Sequence, residues 1–296
     1  MTGLLLCLAL GPARAADPHV LVLGRISDDP KAHYEQLKPL LDYVVPRMAD
    51  VGITEGRILM ARDLQQMTSY LRRERVDWVT ETSANAMRLQ DRAGALPLLL
   101  TERDGTGSYR TLLFVRRDSA VASLDDLRGH SVAFQNTAST SAYIVPAMQI
   151  LQRGMPLQIL LSPMERPDSH SVGYVFARSE LNIATWVHKR LVDAGTISNL
   201  DWDNPRRMPP SYRQDFRVVD QSQSYPRALE MVRDDLDPRV RERLREVLLE
   251  AGRDPDAREA MLRFFGTTRF LPIDAATNSA LHELRAGVAR VRLEVE

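Results

Sequence analysis

The sequence predicts an α/β protein with two domains, and three observations support this class. Short segments with the pattern of buried strands alternate with segments of helical periodicity along most of the chain. The 296 residues are 44% hydrophobic, which is enough for two cores of moderate size. No period of about 20–50 residues recurs, which excludes a solenoid or a propeller.

The charge balance points to a small partner. Lysine and arginine total 39, aspartate and glutamate also total 39, and the net charge is zero. A chain with balanced charges lacks the broad positive surface that would attract nucleic acids or anionic membranes. We therefore expect no nucleic acid partner, and we interpret scattered arginines such as Arg239 and Arg243 as solvated helix faces.

The N-terminus has the features of a secretory signal. An apolar run from Leu4 to Leu10 precedes Gly11-Pro12 and the cleavage-site pattern Ala13-Arg14-Ala15. The run is too short to span a membrane. Residues 1–15 are therefore predicted to be a signal peptide, with a mature periplasmic chain that begins at or near Ala16. No basic residue precedes the run; either the true start lies upstream or the signal is weak. The alternative is a buried N-terminal strand. The mature chain would lose Cys7, the only cysteine, and with it any disulfide or thiol nucleophile.

Strands and helices alternate through the first part of the mature chain. Apolar residues spaced three and four apart, including Leu37, Leu40 and Val44, predict the first helix. Asp28 or Asp29 is expected to cap it, with Pro30 in its first turn. The predicted order is strand His19–Gly24, helix Lys31–Met48, strand Ile58–Ala61, helix Asp63–Arg75, and strands Val76–Thr80, Leu96–Thr101 and Tyr109–Arg116.

A hydroxyl-rich helix start is the strongest candidate site. The strand end Val132-Ala133-Phe134 leads through a turn at 135–138 into an apolar helix from Ala142, entered through Ser139, Thr140 and Ser141. Free N–H groups, the helix dipole and three hydroxyls could hold an oxyanion without lysine or arginine. This predicts a neutral, polar site. Alternatively, Ser139 is only an N-cap and its neighbours contact water.

The remaining chain continues the alternation and then becomes helical. A polar insert follows residues 159–163 and ends at Ser171, and a proline- and arginine-rich loop spans 204–215. The chain from Gln221 to Arg227 is expected to return to the first domain. The rest is predicted as helix, with Gly266–Asp274 as a segment that closes the region. The predicted elements are strand Val172–Glu180, helix Leu181–Arg190, strands Val192–Ile197 and Phe216–Val219, and helices Pro238–Ala251, Asp254–Phe265 and Ala276–Leu293.

Three segments in sequence, residues 109–119, 123–134 and 138–143, resemble the periplasmic solute-binding proteins of phosphonate, phosphite and phosphate ABC transporters. The resemblance extends more weakly over nearly all of the mature chain. It implies a two-lobed periplasmic-binding-protein fold in which each lobe is a mixed sheet flanked by helices, with a ligand cleft between the lobes. Lobe 1 would comprise residues 16–113 and 223–296, including the terminal helix, and lobe 2 residues 114–222.

The resemblance also implies site residues, each with a structural alternative. Tyr109 matches a cleft tyrosine, although a tyrosine that begins a strand is often a packing residue. Asp201, in Asn199-Leu200-Asp201, matches a ligand-contacting turn or forms an Asx turn. Ser179 keeps a family serine, while Glu180 stands where the family has histidine. Glu81 occupies a turn that in the family is small and often contains glycine. It either caps a helix or lies beside the anion. Beside the anion it would repel the ligand unless a cation lay between them.

The function implied is capture of a small anionic or zwitterionic ligand for an ABC permease. A phosphonate, phosphate ester or related oxyanion fits best, and the acids Glu81 and Glu180 make a ligand with an amine more credible. The chain carries no common enzyme motif, so we expect no catalytic residue, metal or cofactor. We also expect a monomer. Three alternatives stay open: a sensor acting with a membrane kinase, an enzyme on the same architecture, and a binder of a non-phosphorus ligand.

Overall fold

The structure is a computed structural model that describes residues 17–295. The predicted signal segment 1–15, with Cys7, lies outside the described residues. The strands in chain order are β1 (Val20–Ile26), β2 (Glu55–Ala61), β3 (Trp78–Thr82), β4 (Leu96–Arg103), β5 (Ser108–Tyr109), β6 (Thr111–Arg116), β7 (Ser131–Phe134), β8 (Leu157–Ile159), β9 (Val172–Phe176), β10 (Ala194–Ser198), β11 (Phe216–Gln221), β12 (Tyr225–Pro226), β13 (Ala228–Val232) and β14 (Thr267–Leu271).

The α-helices flank these strands, and short 3₁₀ turns follow or join several of the α-helices. In chain order they are α1 (Pro30–Val44), α2 (Leu64–Arg72), α3 (Ser83–Ala93), α4 (Val145–Gln152), α5 (Glu180–His188), α6 (Asn199–Trp202), α7 (Pro210–Arg213), α8 (Pro238–Ala251), α9 (Arg258–Arg263) and α10 (Ala275–Glu294). Within residues 17–295 no helix combines the length and apolarity needed to cross a bilayer.

Two mixed six-stranded sheets form the framework. The first has the order β14-β4-β13-β3-β1-β2 and the second β11-β6-β10-β7-β9-β8. In the first, β1 pairs in parallel with β2 and β3, whereas β13 is antiparallel to both β3 and β4. In the second, β7, β8, β9 and β10 run parallel and β6 is antiparallel to β10 and β11. The predicted fold class is confirmed.

The local rules place the first helix as expected. Asp29 caps α1 by accepting a hydrogen bond from the Ala32 N–H, and Pro30 occupies the first position, where its missing N–H costs nothing. Leu37, Leu40 and Val44 are fully buried against the first sheet's core. The spacing of the apolar residues therefore fixes which face of α1 packs inward.

The prediction of helix after Arg227 is wrong at β13, and the segment 266–274 that was expected to close the region contains β14. β13 lies in the middle of the first sheet and β14 at its edge. The segment Ala-Leu-Glu-Met-Val contains good helix formers, but all five side chains are buried between neighbouring strands. Glu230 is accommodated because Trp78 Nε1, Thr80 Oγ1 and Thr101 Oγ1 donate to its carboxylate at 2.6, 2.9 and 2.6 Å. Tertiary contacts override local propensity here.

The predicted strand Tyr109–Arg116 is interrupted at Arg110. Its first part, β5, pairs with β12 in a separate two-stranded ribbon, while β6 joins the second sheet. The chain thus leaves the first sheet through β5 and returns through β12. Tyr109 and Tyr225 face each other in the ribbon's register.

The C-terminal helix packs on both halves of the molecule. α10 contacts α3 beside the first sheet and α4 beside the second, so its expected packing on the first lobe alone is incomplete. Gly287 lies so close to Met148 of α4 that an added Cβ would overlap the methionine side chain. Leu284 and Val288 belong to a hydrophobic cluster with members from both sheets.

Candidate ligand-binding cleft

A cleft of about 640 Å³ opens where the two sheets face each other. It is lined by residues that follow the carboxyl ends of strands, including Ser27 after β1, Gln135 after β7 and Arg178 after β9. Open α/β sheets bind ligands at these ends because the loops that leave them converge. We call the residues from the first sheet's loops the first wall, and those from the second sheet's loops the second wall.

Seven of the eight residues predicted from the sequence line this cleft. They are Glu81, Tyr109, Ser139, Thr140, Ser141, Glu180 and Asp201. Ser179 does not line it: its hydroxyl caps α5 by accepting from the Asn182 N–H at 3.2 Å. The fold brings the predicted set together, with the exception of Ser179.

The three hydroxyls of the helix start have three different surroundings. The helix begins with a π-helical turn at Thr140, earlier than the predicted Ala142, and Ser139 Oγ caps it by accepting from the Ala142 N–H at 3.1 Å. Thr140 Oγ1 accepts from the N–H of Ala84 in the first wall, also at 3.1 Å. Ser141 Oγ lines the cleft and makes no hydrogen bond to the described residues. Ser141 is therefore the hydroxyl best placed to meet a ligand.

Tyr109 is a buried residue at the junction of the walls. Its phenol shares hydrogen bonds with Thr140 of the second wall and Ser83 of the first. Burial raises the pKa of Tyr109, and these two hydrogen bonds oppose that rise. The phenol stays protonated and, with Thr140, links the walls at the base of the cleft.

Glu81 is held by the first wall and compensated by a cation. Its carboxylate accepts from the Ile26 N–H and from Asn85 Nδ2, both at 3.1 Å, and from the Thr82 N–H. Arg25 Nη1 lies 3.7 Å from Glu81 Oε1. The cation that an anion site beside Glu81 requires is thus present.

Glu180 and Asp201 share one arginine. Arg207 contacts Glu180 Oε2 at 2.7 Å and Asp201 Oδ1 at 3.1 Å. Gln135 donates to Glu180 at 2.8 Å, and Ser198 Oγ to Asp201 at 2.6 Å. Burial and the neighbouring Asp201 raise the pKa of Glu180, while Arg207 opposes them. The negative charge that was expected to meet a ligand ammonium is already met by Arg207.

Sequence reasoning missed the arginines, and the expected neutral site is wrong. Six guanidinium groups line the cleft against four carboxylates, an excess of two positive charges. The arginines are Arg25, Arg62, Arg103, Arg178, Arg207 and Arg227; the acids are Asp28, Glu81, Glu180 and Asp201. They are far apart in sequence and form no motif. The available signal was their position, since Arg25, Arg103 and Arg178 each lie within two residues of a strand's carboxyl end.

Arg178 has an unusual backbone for its residue type. Its φ of +72° lies in the left-handed region, which side chains other than glycine, asparagine and aspartate rarely occupy. The side chain is exposed, lines the cleft, and forms no ion pair with a described residue. Backbone conformations of this kind cluster at binding sites. Among residues 17–295, no group of three or more His, Cys, Asp or Glu side chains is arranged to hold a metal.

Two mixed sheets that face each other across a polar cleft define a two-lobed solute-binding protein. The comparisons with known proteins agree: the family model described as ABC transporter, phosphonate, periplasmic substrate-binding protein matches residues 24–277. The chain belongs to this family, which makes its class that of a periplasmic solute-binding protein.

Solved structures extend the comparison. The Xanthomonas citri protein XAC2383 bound to chloride is 56% identical, with a TM-score of 0.89, and the alignment covers 94% of this chain and 100% of that one. The same protein bound to ATP aligns over the same shares at 55% identity and TM-score 0.89. PhnD1 from Prochlorococcus marinus, in complex with methylphosphonate, has 15% identity and a TM-score of 0.66, covering 93% and 100% of the two chains, and shows the shared fold.

Proposed function

We propose that this protein binds a phosphorylated organic anion in its cleft and presents it to an ABC permease. The observation that carries the proposal is the excess of arginine over carboxylate along the cleft. Guanidinium groups bind phosphate oxygens in pairs of parallel hydrogen bonds. An amino-phosphonate is disfavoured because Arg207 already pairs with Glu180 and Asp201.

The size of the cleft favours a ligand larger than a single oxyanion. Its volume of about 640 Å³ falls in the range of roughly 300–1,000 Å³ found for drug-sized ligands. Inorganic phosphate would leave most of that space to water. The relative from Xanthomonas citri, at 55–56% identity, has been solved with chloride and with ATP, which supports an anionic and specifically a phosphorylated ligand here.

In the proposed complex each wall supplies part of the site. Ser141 and Arg178 of the second wall would meet the ligand together with Arg25 and Arg103 of the first. Because such a ligand touches both walls, it favours the closed arrangement of the two lobes. We assign residues 16–113 and 223–296 to lobe 1 and 114–222 to lobe 2, and we assign residues 1–15 to a signal peptide cleaved on export.

Titration calorimetry on the purified protein tests the proposal. The panel contains inorganic phosphate, methylphosphonate, 2-aminoethylphosphonate, a nucleoside mono-, di- and triphosphate, and a dicarboxylate. We expect the organic phosphates to bind tightest, and the affinity of each to fall as the salt concentration rises. Tightest binding of 2-aminoethylphosphonate, or binding of the dicarboxylate alone, would overturn the proposal.

A further inference from the structure

Two arginines of the first wall are stacked on one aromatic ring. The guanidinium carbons of Arg25 and Arg103 lie 4.8 and 4.7 Å from the centroid of Phe265. Phe265 has a φ of +55°, and Gly266 follows at +70°. A phenylalanine in this backbone region is a strained outlier, so the surrounding fold holds the ring against its local preference.

Thr80 in β3 accepts hydrogen bonds from the same two arginines. The Thr80 carbonyl accepts from Arg25 Nη1 at 2.8 Å, and Thr80 Oγ1 accepts from Arg103 Nη2 at 3.4 Å. Thr80 Oγ1 in turn donates to the buried Glu230. Thr80 therefore orients both guanidinium groups, and Glu230 fixes the hydroxyl of Thr80.

The charge of this pair is only partly compensated. Arg25 and Arg103 each bury an Nε–H donor that has no acceptor among the described residues. Arg103 is 8% exposed, and burial together with the like charge of Arg25 lowers the pKa of Arg103 to about 10. Glu81 lies 3.7 Å from Arg25, and Asp28 also faces the cleft here. A bound oxyanion would supply the negative charge that is missing beside this buried cationic pair.

We propose that Arg25 and Arg103 form a second anion subsite, on the first wall, separate from the helix start that carries Ser141. In this arrangement the ligand carries at least two phosphate groups in a chain, one for each wall. This inference rests on the proposed function and deepens it, because it restricts the ligand to the class of nucleoside di- and triphosphates or similar diphosphate esters.

The test uses AMP, ADP and ATP as a matched ligand series on the full-length mature protein. Arg103→Gln should weaken ADP and ATP binding by about 10- to 100-fold, the range for losing one charge-assisted hydrogen bond, and should change AMP binding less than about twofold. Arg178→Gln, on the second wall, should weaken all three ligands by similar factors. Arg103→Lys keeps the charge but loses the planar stack, and should give an intermediate loss for ADP and ATP.

The outcomes separate the two proposals. If the wild type binds none of the three nucleotides and none of the organic phosphates of the wider panel, the proposed function fails and the subsite fails with it. If the nucleotides bind but AMP, ADP and ATP are equally affected by Arg103→Gln, or equally unaffected, the function stands and the subsite is overturned. The melting temperatures of the two Arg103 variants without ligand show whether each is folded. If Arg103→Gln is not folded, Arg103→Lys tests the subsite by the same selective loss of affinity for ADP and ATP.

Discussion

The two walls of the cleft present anion-binding groups in opposite ways. The first wall uses buried charges: Arg25, Arg103 and Glu81 are held by backbone groups, by Thr80 and by Phe265. The second wall uses an exposed arginine, Arg178, and a hydroxyl, Ser141, that has no partner among the described residues. The fold itself holds the charged groups of the first wall in place, whereas binding a ligand would have to order the exposed side chain of Arg178 on the second wall.

The largest expected effect tests how firmly the first wall is built. Glu230→Ala removes the common acceptor of Trp78, Thr80 and Thr101 and leaves these three donors without a partner. We expect a loss of about 3–5 kcal/mol in the free energy of unfolding, measured by urea denaturation, because each buried donor left without an acceptor costs about 1–3 kcal/mol. Glu180→Ala on the second wall is the matched control and should cost less than about 1.5 kcal/mol, because Arg207 is half exposed and can hydrate. Equal losses would erase the contrast between the walls.

The hydroxyls of the helix start divide between structure and binding. From the sequence alone, Thr140→Val should spare the fold. The structure changes this expectation, because the variant leaves the Ala84 N–H without its acceptor and should cost about 1–3 kcal/mol of stability.

Ser141→Ala should leave stability unchanged and weaken binding of the tightest organic phosphate about tenfold or more, the size of a charge-assisted hydrogen bond. Ser139→Ala should cost about 1 kcal/mol through loss of the cap. Melting temperatures and calorimetric affinities of the three variants decide the assignment. Unchanged affinity in Ser141→Ala places the anion elsewhere.

The strained backbone of Arg178 sharpens the contrast further. Arg178→Gly relieves a left-handed conformation and should stabilise the apo protein by about 1 kcal/mol while weakening ligand binding. Arg190→Gly is the control: its φ is +58°, and its side chain pairs with Asp118 away from the cleft, so affinity should not change. Thermal unfolding and calorimetry on both variants check this. A stabilised Arg178→Gly variant with full affinity would remove Arg178 from the site.

The smallest effect comes from the titration of Glu180. Its pKa is raised above the ordinary 4.5, so it takes up a proton as the pH falls toward that value from above and the second wall loses a negative charge. The affinity of the wild type for ADP should then rise as the pH falls toward about 4.5, compared with Glu180→Gln, in which only the ligand itself titrates. If the affinity for ADP varies with pH in the same way in the wild type and in Glu180→Gln, the charge of Glu180 does not influence binding.

The same linkage fixes the sign for stability. Because the folded pKa of Glu180 is raised, its contribution to stability is complete below 4.5 and falls as the pH rises through the folded value. Glu180→Gln should therefore gain stability relative to wild type as the pH increases across this window. Urea unfolding at several pH values measures the difference.

The parts of this protein that were predictable are those determined by neighbouring residues. Asp29 with Pro30 predicted a helix start, and the strand before Ser139 predicted a turn into a second, hydroxyl-rich helix start. β13 was not predictable, because Glu230 is acceptable in a central strand only when three distant donors surround it. The arginine lining was missed for the same reason: Arg25, Arg103 and Arg178 become neighbours of one cleft only through the sheet topology.

The position of β13 has a consequence for the order in which the chain can fold during synthesis. β13 lies between β3 and β4, so until it is made the first sheet remains divided, with β1, β2 and β3 on one side and β4 on the other. The second sheet has all six strands once the chain reaches Gln221. The half that begins later in the sequence can therefore assemble first, and the half that begins the chain is completed by one of its last strands.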